Sequence, residues 1–366
     1  MRSGYGRRFI ILAAPVLAGA LIIGCGSSSS NPSSSSSKPA KVTGTLVIGG
    51  FGGTTPQGLQ ACGIKSFEKA YPGVSVQYIA GQGSETIAKV AASRNDPTID
   101  LMMLQSADLY NANRLGLLGT VSPSSVPNLQ DLKSLYGTKP MYGGGVPLGT
   151  LSTGIAYNTQ VFKEHGWSPP TSWSDLWDSK YKGHVGIITI TVGGTQAWVQ
   201  EQGEIDGGSV SNATPLFKKL GQLKPNLYAV DSTSAQLAEQ IQQQHVWIAP
   251  FSGNQVLPLQ AQGVPIDMII PKEGIELAVT YLALVKGAPN TAAAEAFQNW
   301  MLAQKQQQCV ASVVGYGPVR KGITASASIA RLVGPLPTTK IIPSNFADIQ
   351  KELPQWVSEW DSELGS

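Results

Sequence analysis

The chain has 366 residues, enough for two domains of ordinary size, and a composition of 42% hydrophobic residues with 41 glycines and 24 prolines suits a large globular body with many turns. Its formal charge is +3, from 26 basic and 23 acidic side chains, but three of the basic ones, Arg2, Arg7 and Arg8, sit at the extreme N-terminus. The remainder is balanced, which argues against nucleic acid and against electrostatic membrane binding, since both need a basic excess.

After the three arginines comes an apolar run from Phe9 to Ile23. A basic head, an apolar segment of about fifteen residues and a small residue before the cut describe a signal peptide over residues 1–24. The run falls short of the about twenty apolar residues of a membrane-spanning helix. Leu21-Ile22-Ile23-Gly24-Cys25 resembles the lipobox of a bacterial lipoprotein precursor, with Ile22 where leucine is commonest, so Cys25 is the expected lipidation site. An uncleaved anchor or an ordinary secretory signal is the plainer alternative. Residues 25–43 then form a serine-rich linker with Pro32 and Pro39. Such a composition buries no core and is expected to be disordered. It would reach about 20–25 Å, enough to hold a folded body clear of lipid headgroups.

The body alternates strands and helices. Thr45-Leu46-Val47-Ile48 reads as a buried strand and Gly49 to Gly53 as a loop. Thr54 could cap a helix with Leu59, Cys62, Phe67 and Ala70 on one face, stopped by Tyr71-Pro72-Gly73. Val74 to Ile79 is a second strand, Glu85 to Ser93 a helix, and Asp100 to Leu104 a third strand. This order implies a parallel sheet with right-handed crossovers. A second unit follows Gly143-Gly144-Gly145. It holds a tryptophan-rich helix at Trp173–Trp177, strands at Val185–Ile190 and Val246–Ala249, a β-rich run from Leu277 to Val285 and a helix from Thr291 to Cys309.

With Cys25 lipidated, Cys62 and Cys309 remain, and an even number in an oxidising compartment is a candidate disulfide; two buried free thiols are the alternative. A loop of that length bounds the stabilisation at roughly 5 kcal/mol. His165, His184 and His245 are scattered and lack an HExxH partner, and no Cys/His spacing suggests zinc, so neither a metal nor another cofactor is expected. Ser66-Phe67-Glu68-Lys69 fits the S-x-x-K pattern of an exported hydrolase, but so do Ser35–Lys38 and Ser179–Lys182, and the supporting S-D-N and K-T-G motifs are absent.

Two stretches resemble signatures of the ABC-importer solute-binding proteins, in the cluster that contains the spermidine/putrescine-binding proteins. The first is Gly154-Ile155-Ala156-Tyr157-Asn158-Thr159, Pro170-Thr171-Ser172-Trp173-Ser174-Asp175-Leu176 and Tyr181-Lys182-Gly183-His184-Val185; the second is Pro271-Lys272-Glu273-Gly274, the Ala296–Leu302 segment and Gly315-Tyr316-Gly317-Pro318. The resemblance implies an α/β, two-lobed type II periplasmic-binding-protein (Venus flytrap) fold, with two open, mostly parallel sheets joined by hinge strands. Lobe 1 would be 44–143 plus 278–320, and lobe 2 would be 147–270 plus 321–366. It also implies binding without catalysis, a small-molecule solute and a membrane permease as partners, a monomeric body, and a location outside the cytoplasmic membrane, periplasmic or lipid-anchored. An exported hydrolase and a partner-binding lipoprotein are the rival readings.

In open α/β sheets, ligands bind beyond the carboxyl ends of strands. The candidates at such ends are Phe51, Gly53, Thr54, Ser84, Gln105, Ser106 and Thr280 in lobe 1, and Thr153, Thr191, Thr195, Phe251 and Ser252 in lobe 2. By resemblance, Phe51 and Phe251 align with ligand-packing aromatics. Positions that carry a carboxylate, a tryptophan and another aromatic in polyamine-specific members align with Thr280, Ala278 and Thr54, and only Tyr281 stands where ferric-binding members pair two tyrosines. Burying a diammonium without carboxylates costs several kcal/mol per ion, on the order of the desolvation penalty. Gly83-Ser84 and Gly193-Gly194-Thr195 open helices, whose N-termini favour oxyanions. A small anionic or zwitterionic solute is therefore expected in place of a polyamine.

Overall fold

The computed structural model describes residues 42–52, 55–326, 329–330, 332 and 339–365. The signal segment, Cys25 and most of the linker lie outside the described residues, as do Gly53 and Thr54. Nine strands are described: β1 (Gly44–Gly50), β2 (Val74–Ala80), β3 (Leu101–Gln105), β4 (Gly145–Asn158), β5 (Val185–Ile188), β6 (Leu227–Asp231), β7 (Ile248–Ser252), β8 (Ile266–Ile269) and β9 (Leu277–Leu284). They follow the order β2-β1-β3-β9-β4-β7-β5-β6, with β8 also on β4.

The outer strands pair in parallel, β2-β1-β3 at one end and β6-β5-β7 at the other. Leu46, Ile48 and Leu101 to Leu104 are fully buried, as expected for parallel strands covered on both faces. The strands between the two ends pair antiparallel. β4 is the reason there are two sheets and one chain path. Its 14 residues are buried except for half-exposed Thr153, and at about 3.3 Å per residue it spans roughly 45 Å. Its first half pairs with β9. Its second half pairs with β7 and β8. Gly154 is demanded here, because a Cβ would run into the Ile269 carbonyl.

The buried side chains sort accordingly. One cluster draws on residues between Leu46 and Leu151 and between Val279 and Val319. Two others draw on Ile155 to Ile275 and on the C-terminal Ile349, Trp356, Trp360 and Leu364. In the first cluster Cys62 and Cys309 form a disulfide, with Cα atoms 5.3 Å apart and a sequence separation of 247. Both cysteines adjoin π-helical turns, Gln60–Ile64 and Val310–Val314.

Three local expectations need correction. Trp173–Trp177 is a 3₁₀ turn, held by Ser172 as its cap and by Asp175 reaching back to the Ser172 N–H. The expected Thr291–Cys309 helix is two, Thr291–Met301 and Gln304–Cys309, because Ala303 is extended. Polar side chains make that break tolerable: Gln307 Nε2 donates to the Met301 carbonyl at 3.1 Å and Arg320 Nη1 to the Leu302 carbonyl at 2.9 Å. The strand expected at Val246–Ala249 begins at Ile248 and runs to Ser252, which carries its end to the site described below.

Candidate functional site

Four strand-to-helix junctions meet at one cavity. β3 ends at Gln105, the residue before helix Ser106–Arg114. β5 ends at Ile188 and leads through a turn into helix Gly193–Ile205. β6 leads to helix Ser234–Gln242, and β7 runs straight into helix Gly253–Ala261. The cavity, of about 80 Å³, lies at the carboxyl ends of these strands. Its polar lining is Gln105, Thr153, Gly194, Thr195, Ser234 and Ser252, and its apolar lining is Ile187, Ile188, Val192, Trp198, Pro250 and Phe251. Thr153, where β4 changes sheet, and Ser252 share a hydroxyl–hydroxyl bond of 3.2 Å.

Each junction points the start of a helix at the cavity, with its unpaired N–H groups and partial positive charge. The helices beginning at Ser106, Gly193 and Gly253 have no side-chain cap. The one beginning at Ser234 is closed by Thr233 and Gln236. The Leu332 backbone crosses the third so closely that a Cβ on Gly253 would meet its carbonyl. The starts at Ser106 and Gly193 therefore remain the open donors. Thr195 is 93% buried and lines the cavity. No lining side chain is ionisable.

Of the residues expected from sequence, Gln105, Thr153, Thr195, Phe251 and Ser252 come together here. Gly53 and Thr54 lie outside the described residues, and the other described ones do not line the cavity. Phe51 is half-buried against the first cluster, and its carbonyl accepts from Tyr78 Oη at 2.8 Å. Ser84 is exposed in the first turn of helix Gly83–Ala92. That helix start already has an anion beside it, because the Asp108 carboxylate occupies the space a Gly83 side chain would need. Burial pushes Asp108 up to about 6. Ser106 is pinned to β9, donating to the Val279 carbonyl and accepting from its N–H. Thr280 is wholly buried within β9, and Thr191 is exposed in the turn before Gly193. Phe251 is 2% exposed, so most of it is core and only part can face a ligand.

Sequence reasoning missed Ser234, Trp198 and the isoleucine wall. Thr233-x-x-Gln236 is a capping-box signature and could have revealed the helix that carries Ser234. Behind the cavity lies a buried acidic pair. Glu201, four residues after Ala197 on the cavity helix, accepts from the Glu276 N–H at 3.2 Å. Glu276 immediately precedes β9. Burial pushes Glu276 up to about 7 and holds Glu201 well above the usual carboxylate range.

Ser66, the hydrolase candidate, is half-buried and donates to the Gly63 carbonyl at 2.9 Å. Among the described residues no group of His, Cys, Asp or Glu could hold a metal ion, and no helix is long and apolar enough to cross a membrane.

Known proteins of the same kind have this architecture. An ABC transporter protein from Clostridium perfringens superposes with a TM-score of 0.69 at 23% identity, covering 87% of this chain and 99% of that one. The periplasmic binding protein AfuA from Actinobacillus pleuropneumoniae, with fructose-6-phosphate bound, gives 0.71 at 22% identity, covering 88% and 98%. In sequence, a Salmonella typhimurium protein named as a 2-aminoethylphosphonate-binding periplasmic protein is 24% identical over 310 residues, 81% of this chain and 84% of that one. A spermidine/putrescine-binding periplasmic protein of Haemophilus influenzae is 25% identical over 307 residues, 80% and 78% of the two chains. A gamma-aminobutyric acid-binding protein of Pseudomonas aeruginosa is 26% identical over 293, 77% and 78%. The family model for bacterial extracellular solute-binding proteins matches residues 64–338, spanning both ends of the sheet and the cavity between them, and the chain belongs to that family.

Proposed function

We propose that this protein is the solute receptor of an ABC importer and that its solute is a small anion or zwitterion. The observation that carries this reading is the cavity itself, where uncapped helix starts converge and no ionisable side chain lines the wall. An oxyanion at a helix N-terminus gains about 0.3–1 kcal/mol per helix, and up to about 2 when partly buried. A diammonium solute would meet the same positive ends and no carboxylate, leaving its charge uncompensated. The isoleucines, Trp198 and the edge of Phe251 would take a short apolar segment. The names of the Salmonella, Pseudomonas and Actinobacillus relatives point the same way, to a phosphonate, an amino acid and a sugar phosphate.

In this reading lobe 1 is 44–143 plus 278–320, and lobe 2 is 147–270 plus 321–366, a division that the sorting of buried side chains supports except at Leu148 and Leu151 of β4, which pack in the first cluster. β4 is the hinge. Ligand stabilises the closed arrangement of the lobes, and the liganded closed form docks on the permease. The receptor acts as a monomer, exported and held near the permease by a lipid on Cys25. Mass spectrometry of the mature N-terminus tests the tether, and an unmodified Cys25 would end that part.

A thermal-shift series tests the solute class. A ligand at a hundred times its dissociation constant stabilises the folded state by about 2.7 kcal/mol. 2-Aminoethylphosphonate or gamma-aminobutyrate is expected to raise the melting temperature, and spermidine and putrescine are expected to leave it unchanged. Stabilisation by the polyamines with none by any oxyanion would refute the assignment.

A further inference from the structure

The helix starting at Gly193, which supplies the cavity with donors, also meets the opposite lobe. A Cβ on Gly193 would lie 3.5 Å from the Ala107 Cβ, in ordinary contact, so the first turns of helices Gly193–Ile205 and Ser106–Arg114 touch. One turn further along, the two helices are bridged by a residue from a third. Asn111 Nδ2 donates to Gln350 Oε1 at 3.3 Å, and Gln350 Nε2 donates to Gln196 Oε1 at 3.0 Å. Gln196 is 5% exposed, while Asn111 and Gln350 are half-buried. Gln350 lies on the C-terminal helix Phe346–Leu364, whose buried Ile349, Trp356, Trp360 and Leu364 anchor it in the second cluster. Asn111 belongs to the lobe built on the first cluster. The amide chain is therefore fixed at one end by the cavity helix and crosses between lobes at the other.

We propose that Asn111, Gln350 and Gln196 form a latch that holds the lobes together before solute arrives, with Gln350 as its moving contact and Gln196 as the group that orients it. Closure that is already favoured in the empty receptor lowers the conformational cost a solute must meet, so the latch sets affinity without touching the solute. The proposal rests on the two-lobed reading and deepens it, but it concerns the empty protein.

Small-angle scattering of the ligand-free protein tests it without any solute, so a failed solute screen and a failed latch are separate results. The wild type is expected to scatter as the compact form. Gln350→Leu and Asn111→Leu each remove the Asn111–Gln350 bond, and each is expected to shift the open-to-closed ratio by roughly three- to tenfold and enlarge the radius of gyration. The double variant is expected to expand no further than either single one. Gln355→Leu, an exposed change on the same helix, is expected to stay compact, and melting curves confirm that the variants fold. Should Gln350→Leu misfold, Asn111→Leu alone decides. Wild-type dimensions in both single variants, an already expanded wild type, or additive expansion in the double variant would each overturn the latch.

Discussion

Gly194→Ala separates binding from folding at this site. Gly194 is in the first turn of helix Gly193–Ile205 and lines the cavity, and a Cβ built on it meets no heavy atom within 4 Å. The added methyl therefore enters the cavity, where the solute is proposed to sit, and leaves the packing of the protein alone. Because the residue is already helical, alanine narrows the unfolded ensemble and stabilises the fold by about 0.4–1 kcal/mol. The solute meets the opposite effect. Overfilling a fitted cavity by one methyl costs about 1–3 kcal/mol, which is roughly 5- to 150-fold in affinity. The methyl also stands in front of the N–H groups that would hold an oxyanion. Titration calorimetry with 2-aminoethylphosphonate, beside urea unfolding of the same preparation, reads both quantities. Unchanged affinity would refute the placement of the solute at this helix start. Weaker binding together with a less stable fold would refute the claim that the space belongs to the solute.

The buried acidic pair predicts a pH dependence. Glu276 is pushed up to about 7 in the fold, against about 4.3 in an unfolded chain. The native state thus holds the extra proton between those values. Its contribution is complete below the unfolded value and is lost as pH rises through 7, on the order of 3 kcal/mol for this group alone. Melting temperature is expected to fall from pH 5 to pH 8, and Glu276→Gln to lessen that fall; a wild-type stability that rises across the window would contradict the assignment. Removing the Cys62–Cys309 bond, by reduction or by a Cys309→Ser change, is expected to destabilise the first cluster by about 2–5 kcal/mol. Cys309→Ser should unfold at a clearly lower urea midpoint, and an unchanged midpoint would mean that the bond contributes nothing.

Much of the fold was legible because it depends on short-range patterns. β1, β2 and β3 are continuous or alternating apolar runs ended by turn residues, and their parallel order follows from the helices between them. The long apolar run at Leu277–Val285 needed only its composition. Where the reading slipped, the deciding partner lay outside the expected local pattern. The split at Ala303 is stabilised by Gln307 and Arg320, and the 3₁₀ turn at Trp173 by Glu273, which accepts from Ser172. β6, with one buried residue in five, carries little apolar signal.

The candidate site divides the same way. Its chemistry was readable at Gln105, Thr153, Thr195, Phe251 and Ser252, because a strand end followed by a helix start is a local signal. Ser84 carried the same signal, yet Asp108 already stands beside that helix start. Phe251 looked like an aromatic offered to solute, and core packing claims most of its surface.

By itself the sequence determined most element types, the balanced charge of the body, the export-like N-terminus and the small polar residues at several of the strand ends. Those are properties of residues and their near neighbours. Only the tertiary structure decided which helix starts share one cavity, that Gly194 faces empty space, and that Gln350 bonds both Asn111 and Gln196. Each of these depends on where β4 crosses from one sheet to the other, and a strand's pairing partners lie a hundred residues away.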